Sequence, residues 1–194
     1  MTEPDYPIRT ERLLLRPLRH ADREDLVAYR SIPDVCRYVP FSPQSLTDID
    51  RNLAGQWATT ALPEEPRSNL TLGVELDGRV IGDVILMRPA DPEGTAEIGY
   101  VFAPDVAGRG YATEACRPLL ALAFEELGVH RVMGRLDARN GASARVLERL
   151  GMRLEAHFVE DDWFKGEWTS TLVYAMLDRE WRAGRPSLDS PTSR

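Results

Sequence analysis

The sequence predicts one α+β domain of about seven short strands and about four helices, in a chain of 194 residues with no internal repeat and no linker that would divide it. Three observations carry this. Leu70–Leu76 and Val80–Leu86 are apolar runs that meet at Asp77-Gly78, the strongest short-range signal for a two-residue hairpin. Val101-Phe102-Ala103-Pro104-Asp105 leaves a strand through a Pro-Asp turn and enters Gly108-Arg109-Gly110-Tyr111-Ala112, where an amphipathic helix begins. Hydrophobic content of 43% and charged content of 28% are ordinary for a globular chain, and this length can bury one sizeable core.

The elements follow in order. Arg12–Arg16 reads as a first strand with an apolar centre. Asp22 is placed to cap a helix that runs to about Arg30. Residues 31–42 carry Pro33 and Pro40 and read as loop. A helix is expected from Ser45 to about Ala61, with Leu46, Ile49, Leu53 and Trp57 on one face and Pro63 and Pro66 beyond its end. Thr95–Phe102 is the strand that follows the hairpin. The helix after the glycine loop keeps Ala112, Ala115, Leu119, Leu122, Ala123 and Leu127 in helical spacing, and Pro118 is expected to kink it or end its first segment. Arg131–Leu136 is a strand, and Ala142–Leu150 is a helix that Gly151 terminates. Met152–Val159 and Trp168–Leu177 are the closing strands. Residues 8–181 are read as the domain, and 182–194, which lose periodicity, as a flexible tail.

Composition narrows the function. No apolar run approaches the roughly 18 to 20 residues of a membrane span, and the acidic start Met1-Thr2-Glu3-Pro4-Asp5 is unlike a secretory signal. Cys36 and Cys116 have neither metal nor redox spacing, so a reduced, cytoplasmic setting is expected. His20, His130 and His157 are scattered, and no metal site is expected. A net charge of −7 argues against a general nucleic-acid surface and is compatible with amine partners. A homodimer is left open.

The most informative stretch is Val101–Ala115. A strand, a small-residue loop and a helix start put free backbone N–H groups around an anionic phosphate. Gly110 lets the backbone approach such a group without a Cβ clash. Arg109 can add a charge-assisted contact, and Thr113 can bond a phosphate oxygen or cap its own helix. A Walker-type Gly-x-x-x-x-Gly-Lys sequence is lacking, which sets nucleotide phosphotransfer aside.

Four segments, taken in order, resemble the GNAT-fold N-acetyltransferases, in the branch similar to the RimJ/RimL ribosomal-protein N-terminal acetyltransferases. They are Thr10–Pro17, Glu97–Val101, Gly108–Ala115, and Asn140-Gly141-Ala142-Ser143 followed by Leu150-Gly151-Met152. The resemblance covers about Thr10 to Leu177. It implies a mixed, mostly antiparallel central sheet, splayed at the strand that carries the cofactor. It implies acetyl-CoA as acyl donor and a primary amine, a protein N-terminus or a small molecule, as acceptor. Gly108, Arg109, Gly110, Tyr111, Ala112 and Thr113 would then face the pyrophosphate, and the backbone of Tyr100, Val101 and Phe102 would pair with the pantetheine arm. Asn140 and Ser143 complete the implied cofactor contacts. Two positions depart from the family pattern. Ala107 stands where many members carry Gln, Arg or an aromatic residue, and Leu147 stands where many outside this branch carry a tyrosine acid.

An acceptor amine must lose a proton before it attacks, and a carboxylate is the natural base. Glu97, beside the proposed thioester strand, is one candidate, and Asp162 in the Glu160-Asp161-Asp162 cluster is the preferred one. Each also reads as a solvated residue. Ser143 matches the family position that donates a hydrogen bond to the leaving thiolate, and by default reads as an N-cap or first-turn residue. Trp163, Phe164 and Trp168 line an acceptor cleft or belong to the core. A non-catalytic acyl-CoA-binding module is the alternative function.

Overall fold

In the computed structural model, which describes residues 3–90 and 92–184, the expected first strand lies at Leu14–Pro17 and a two-residue strand precedes it. β1 (Ile8–Arg9) turns at Thr10 and runs antiparallel to β2 (Leu14–Pro17). The turn is closed by the Leu13 N–H, which donates to the Thr10 hydroxyl at 3.0 Å.

α1 (Arg23–Arg30) begins after Asp22, but the Asp22 carboxylate does not cap it. It accepts instead from Arg16 at 2.8 and 2.9 Å and from the Arg19 N–H at 2.7 Å. Acidic Glu24 and Asp25 open the helix and Arg30 closes it, matching its dipole. The segment expected as loop holds a one-turn helix, α2 (Pro33–Cys36), started by Pro33 in the first turn. α3 (Leu46–Ala54) starts at a reciprocal cap between Ser45 and Asp48. It stops seven residues short of the expected Ala61, at Gly55. Trp57 is nonetheless buried from the loop beyond it.

β3 (Asn69–Leu76) and β4 (Arg79–Met87) form the expected hairpin, with both Asp77 and Gly78 at positive φ. β5 (Thr95–Phe102) pairs antiparallel with β4. α4 (Tyr111–Ala121) holds Pro118 in its interior, so of the two expected outcomes, a kink or the end of a segment, the second does not occur. It continues as one π-helical turn, Leu122–Glu126, and so reaches the expected end at Leu127. β6 (Arg131–Asp137) and α5 (Gly141–Arg149) follow, and Gly151 ends α5 at φ +88°. β7 (Arg153–Phe164) and β8 (Glu167–Leu177) are longer than expected and meet in a tight turn at Lys165-Gly166. α6 (Asp178–Ala183) was not expected; Trp181 on it stacks on Phe124 at 5.8 Å. It takes up Arg182 and Ala183 of the expected tail, and residues 185–194 lie outside the described ones.

The eight strands make one open sheet in the order β1-β2-β3-β4-β5-β6-β8-β7. Every neighbouring pair is antiparallel except β5 and β6. The fold class is therefore as expected, with an added edge strand and two added short helices. Leu15, Leu26, Ile49, Leu72, Val84, Leu119 and Leu120 are among the fully buried side chains of the core. No helix among the described residues is long and apolar enough to cross a membrane.

Among the buried charged groups, Asp83 ties a helix to the sheet. Asp83 on β4 is 3% exposed. It accepts from the Tyr29 hydroxyl at 2.5 Å and from the Arg30 guanidinium at 2.6 and 3.0 Å. Two consecutive α1 residues thus clamp the helix to the sheet. Replacing Asp83 by Ala leaves a buried guanidinium uncompensated, so Asp83→Ala should lower unfolding free energy by about 3 to 5 kcal/mol. Urea titration followed by circular dichroism measures this; a loss under about 1 kcal/mol would show that the clamp contributes little.

Candidate active site

The site is built on the one parallel pair. β5 and β6 pair only at Thr95 with Arg131, Ala96 with Val132, and Glu97 with Met133. Beyond that point Ile98–Phe102 pair with β4 alone, and Gly134–Asp137 pair with β8 alone. The sheet forks, and one edge of β5 loses its strand partner. Tyr100 bridges the fork: its hydroxyl donates to the Ser143 carbonyl on α5 at 2.9 Å. Burial pushes the Tyr100 pKa up, so this donor stays protonated. On the far arm α5 sits hard on β6. A Cβ at Gly134 would lie 2.8 Å from Leu147 Cδ1, so glycine is what admits the helix there.

β5 leads into the glycine loop through one 3-10 turn, Pro104–Val106. Gly108 and Gly110 have φ of +77° and +82°, conformations that favour glycine. Among the described residues, the N–H groups of Gly108 through Thr113 find no acceptor, and Gly110 gives α4 no side-chain cap. The Thr113 hydroxyl is buried with no partner, so it does not cap α4 either. Such a run at a helix N-terminus suits an anion.

Arg12 holds the loop in shape. It donates to the Arg109 carbonyl at 3.1 Å, ion-pairs with Glu114 at 2.6 Å, and lies 4.5 Å above the centre of the Tyr111 ring. Thr10 adds a 2.6 Å bond to the same carboxylate. Burial pushes the Glu114 pKa up, but the bonds from Thr10 and Arg12 outweigh it and hold the group below the usual carboxylate range.

Two cavities meet at the fork. The first, about 470 Å³, runs between the loop, the end of β5 and α5. It collects Tyr100, Val101, Phe102, Gly108, Gly110, Tyr111, Ala112, Thr113, Asn140 and Ser143. Arg109 is the exception among the expected contacts: its side chain is exposed and lines an open groove on the other face of the loop. The second cavity, about 430 Å³, lies over the β4 and β5 face on the other side of the fork. Tyr100, Val101, Asn140 and Ser143 line both. Asn140 caps α5 by accepting from the Ser143 N–H at 3.1 Å, so Ser143 is a first-turn residue. Its half-buried hydroxyl nevertheless has no partner among the described residues and is free to donate.

Glu97 lines the second cavity at the crotch of the fork. Burial pushes its carboxyl pKa up, against the opposing pull of Arg135. Asp162 is not brought there. It is exposed beside a bulge on edge strand β7 and lines neither cavity. Trp163 and Trp168 are 60% and 58% exposed, so they are neither core nor cleft lining; they pack edge to face on each other at 5.4 Å. Leu147 is buried in the wall of the second cavity, leaving an apolar surface there. Among the described residues no cluster of metal-ligating side chains is present.

Two contributors went unread in the sequence. Tyr38, in the loop after α2, lines both cavities. Lys165, the single lysine of the chain, donates to the Cys36 carbonyl and to the Phe41 carbonyl, the latter at 2.8 Å. The β7–β8 turn thereby holds down both ends of the loop that carries Tyr38. Their only signal was a lone lysine before glycine and a proline-bounded loop. Lys165→Met should free this loop: limited proteolysis should cut within residues 37–43 several-fold faster than in the wild type, with little change in secondary structure. Equal cleavage rates would show that other contacts hold it.

A family profile described as "Acetyltransferase (GNAT) domain" matches residues 12–153. The Bacillus subtilis protein named "Uncharacterized N-acetyltransferase YnaD" is 29% identical over 174 residues, covering 90% of this chain and 98% of that one. The crystal structure of a GNAT-family acetyltransferase from Bacillus anthracis aligns with a TM-score of 0.79 at 30% identity, covering 89% of this chain and 99% of that one. Spermidine N-acetyltransferase from Vibrio cholerae, solved with CoA and spermine, has the same fold, with a TM-score of 0.72 at 20% identity over 89% of this chain and 99% of that one. The matched region opens at the arginine that orders the glycine loop and closes just past the helix that walls the fork, and this chain belongs to the GNAT acetyltransferase family.

Proposed function

We propose that this protein moves the acetyl group of acetyl-CoA to a primary amine by direct attack within a ternary complex, and that residues 8–181 act as one catalytic domain. The observation that carries this reading is the continuity of unpaired backbone donors with the fork. The N–H groups of Gly108–Thr113 open onto the same cavity as the unpaired edge of β5 and the Ser143 hydroxyl. Within the family, the four segments quoted above support a place in the RimJ/RimL-like branch.

In this reading the loop amides and the Thr113 hydroxyl hold the diphosphate, helped by the positive end of α4. The free edge of Tyr100–Phe102 aligns the pantetheine arm, and an N–H of that edge polarises the thioester carbonyl. The acceptor enters from the second cavity. Glu97 takes its proton, directly or through water. The amine nitrogen then forms its bond to the acetyl carbon, the carbon–sulfur bond breaks, Ser143 donates a hydrogen bond to the departing thiolate, and the extra proton left on nitrogen passes to that sulfur, releasing the free thiol. Holding both reactants in one complex supplies much of the acceleration. Leu147 supports a mechanism without a tyrosine acid, since a thiolate is a good leaving group. It is equally what a non-catalytic acyl-CoA-binding module would show, and turnover separates the two.

Thiol release is the decisive assay, with acetyl-CoA and a panel of N-terminal peptides, polyamines and aminoglycosides. Release above background with at least one acceptor is expected; tight acetyl-CoA binding with no turnover across the panel would favour the binding module. Glu97→Gln should lower kcat/KM by about 100-fold or more. Because burial raises the Glu97 pKa, the wild-type rate should fall as pH drops through a value above the usual carboxylate range, and this limb should be absent in Glu97→Gln. A limb that persists in the variant would assign the base elsewhere. Gly110→Val places a β-branched residue at φ +82°, which costs roughly 1 to 2 kcal/mol at that residue. A Cβ there meets only Arg12 Nη2, at 3.6 Å, so the fold should persist while calorimetry shows acetyl-CoA binding lost. Unchanged affinity would contradict the loop assignment.

A further inference from the structure

We infer that the second cavity selects a primary monoamine whose uncharged body ends in a hydrogen-bonding group received by Thr71, and that it disfavours polycations. This rests on the acetyl-transfer reading and adds the chemical class of the acceptor.

Thr71 lines that cavity from β3. It is 1% exposed, and its hydroxyl oxygen is buried with no partner among the described residues. A buried hydroxyl left unpaired costs stability, and on a residue that lines a cavity it offers a bond that a ligand atom can complete. The strand register fixes where it stands. Thr71 lies opposite Ile85, and Ile85 lies opposite Gly99, so the three form one row across the sheet. Glu97 is two residues from Gly99 along β5 and shares its face. Two strand spacings separate Thr71 from Gly99 by about 10 Å. The cavity floor thus has a carboxylate at one end, a free hydroxyl at the other, and Ile85 and Met87 between them.

Charge supports one ammonium and no more. Asp83 and Glu97 are the acidic residues among those lining the cavity, and Arg30 and Arg135 the basic ones. Asp83 is already matched by Arg30 and Tyr29. The Arg30 guanidinium is in turn covered by the Phe41 and Trp57 rings at 4.5 and 4.6 Å. Arg135 on β6 acts on Glu97 without an ion-pair contact among the described residues, so Glu97 can still meet one cation. A second ammonium on the same acceptor would meet no further carboxylate in this lining and would add to the charge of Arg135.

The test measures initial rates of thiol release with the full chain and Thr71→Val, using matched acceptors. Hexylamine and 6-aminohexan-1-ol differ only by a terminal hydroxyl, and spermidine is a longer, flexible polycation. A norleucine-starting and a Gln-starting tripeptide amide, similar in side-chain length, make the same comparison on a peptide N-terminus and tell the two sources apart. For wild type, the tipped member of at least one pair should have kcat/KM about tenfold above its bare partner, through KM, and spermidine should be poorer than hexylamine. In Thr71→Val that ratio should fall to about one, Thr71→Ser should retain it, and the Tm of Thr71→Val should be unchanged or higher because an unpaired polar group is gone. A ratio that survives Thr71→Val, or a wild-type preference for spermidine, overturns the inference while acetyl transfer stands. If Thr71→Val does not fold, the wild-type comparison and Thr71→Ser decide alone. No release with any acceptor would sink the acetyl-transfer reading, and this inference with it.

Discussion

Two neighbouring parallel strands stop pairing after Glu97 and Met133, and the rest of the site follows from that divergence. A strand inside a sheet normally has both edges bonded. Here five residues of β5, Ile98–Phe102, keep β4 on one side and no strand on the other. That free edge would carry a penalty if it were buried against apolar groups. It opens instead between two cavities, where a ligand's amides can supply the missing partners. The fork is held at a set width by Tyr100, whose hydroxyl reaches α5. It is kept asymmetric by Gly134, which lets Leu147 press α5 onto β6.

Two clamps fix the elements that surround the fork. Arg12 and Thr10 grip Glu114 and the Arg109 carbonyl, joining the N-terminal turn to the first turn of α4. This clamp is partly solvent-exposed, so its effect is local ordering of the loop more than global stability. Asp83 with Tyr29 and Arg30 is the opposite case. It is sealed from water, and removing one partner strands the others. One clamp shapes the loop whose free N–H groups suit an anion; the other lines the second cavity. Lys165 adds a third tie, from the β7–β8 turn to the loop after α2 that carries Tyr38.

Much of this was legible in the residues. The Asp77-Gly78 hairpin, the Gly108–Ala112 loop, the Asn140 cap and the Gly151 stop each depend on local chemistry: a positive φ, or a side chain bonding a backbone three residues away. The hairpin, the glycine loop and the Gly151 stop formed as expected; the Asn140 cap is the structure's own finding. The errors share a different cause. Trp57 kept helical spacing with Ile49 and Leu53, yet α3 ended at Gly55 and the ring reached the core from a loop. Pro118 did not end α4, because the helix is carried on by packing of Leu119 and Leu120. Asp162 had a plausible position along the chain but stands on an edge strand facing solvent.

What the sequence by itself determined was the inventory and its order: which segments are strands or helices, where the glycine loop sits, and which donors and carboxylates are present. Local backbone preference and periodicity are properties of neighbouring residues, so they are written in the chain. Only the tertiary structure decided which carboxylate stands at the fork, that Arg12 orders a loop about a hundred residues away, and that Thr71, Tyr38 and Lys165 belong to the site at all. Those assignments depend on strand register and on contacts across more than 90 residues of sequence, and no residue spacing encodes them.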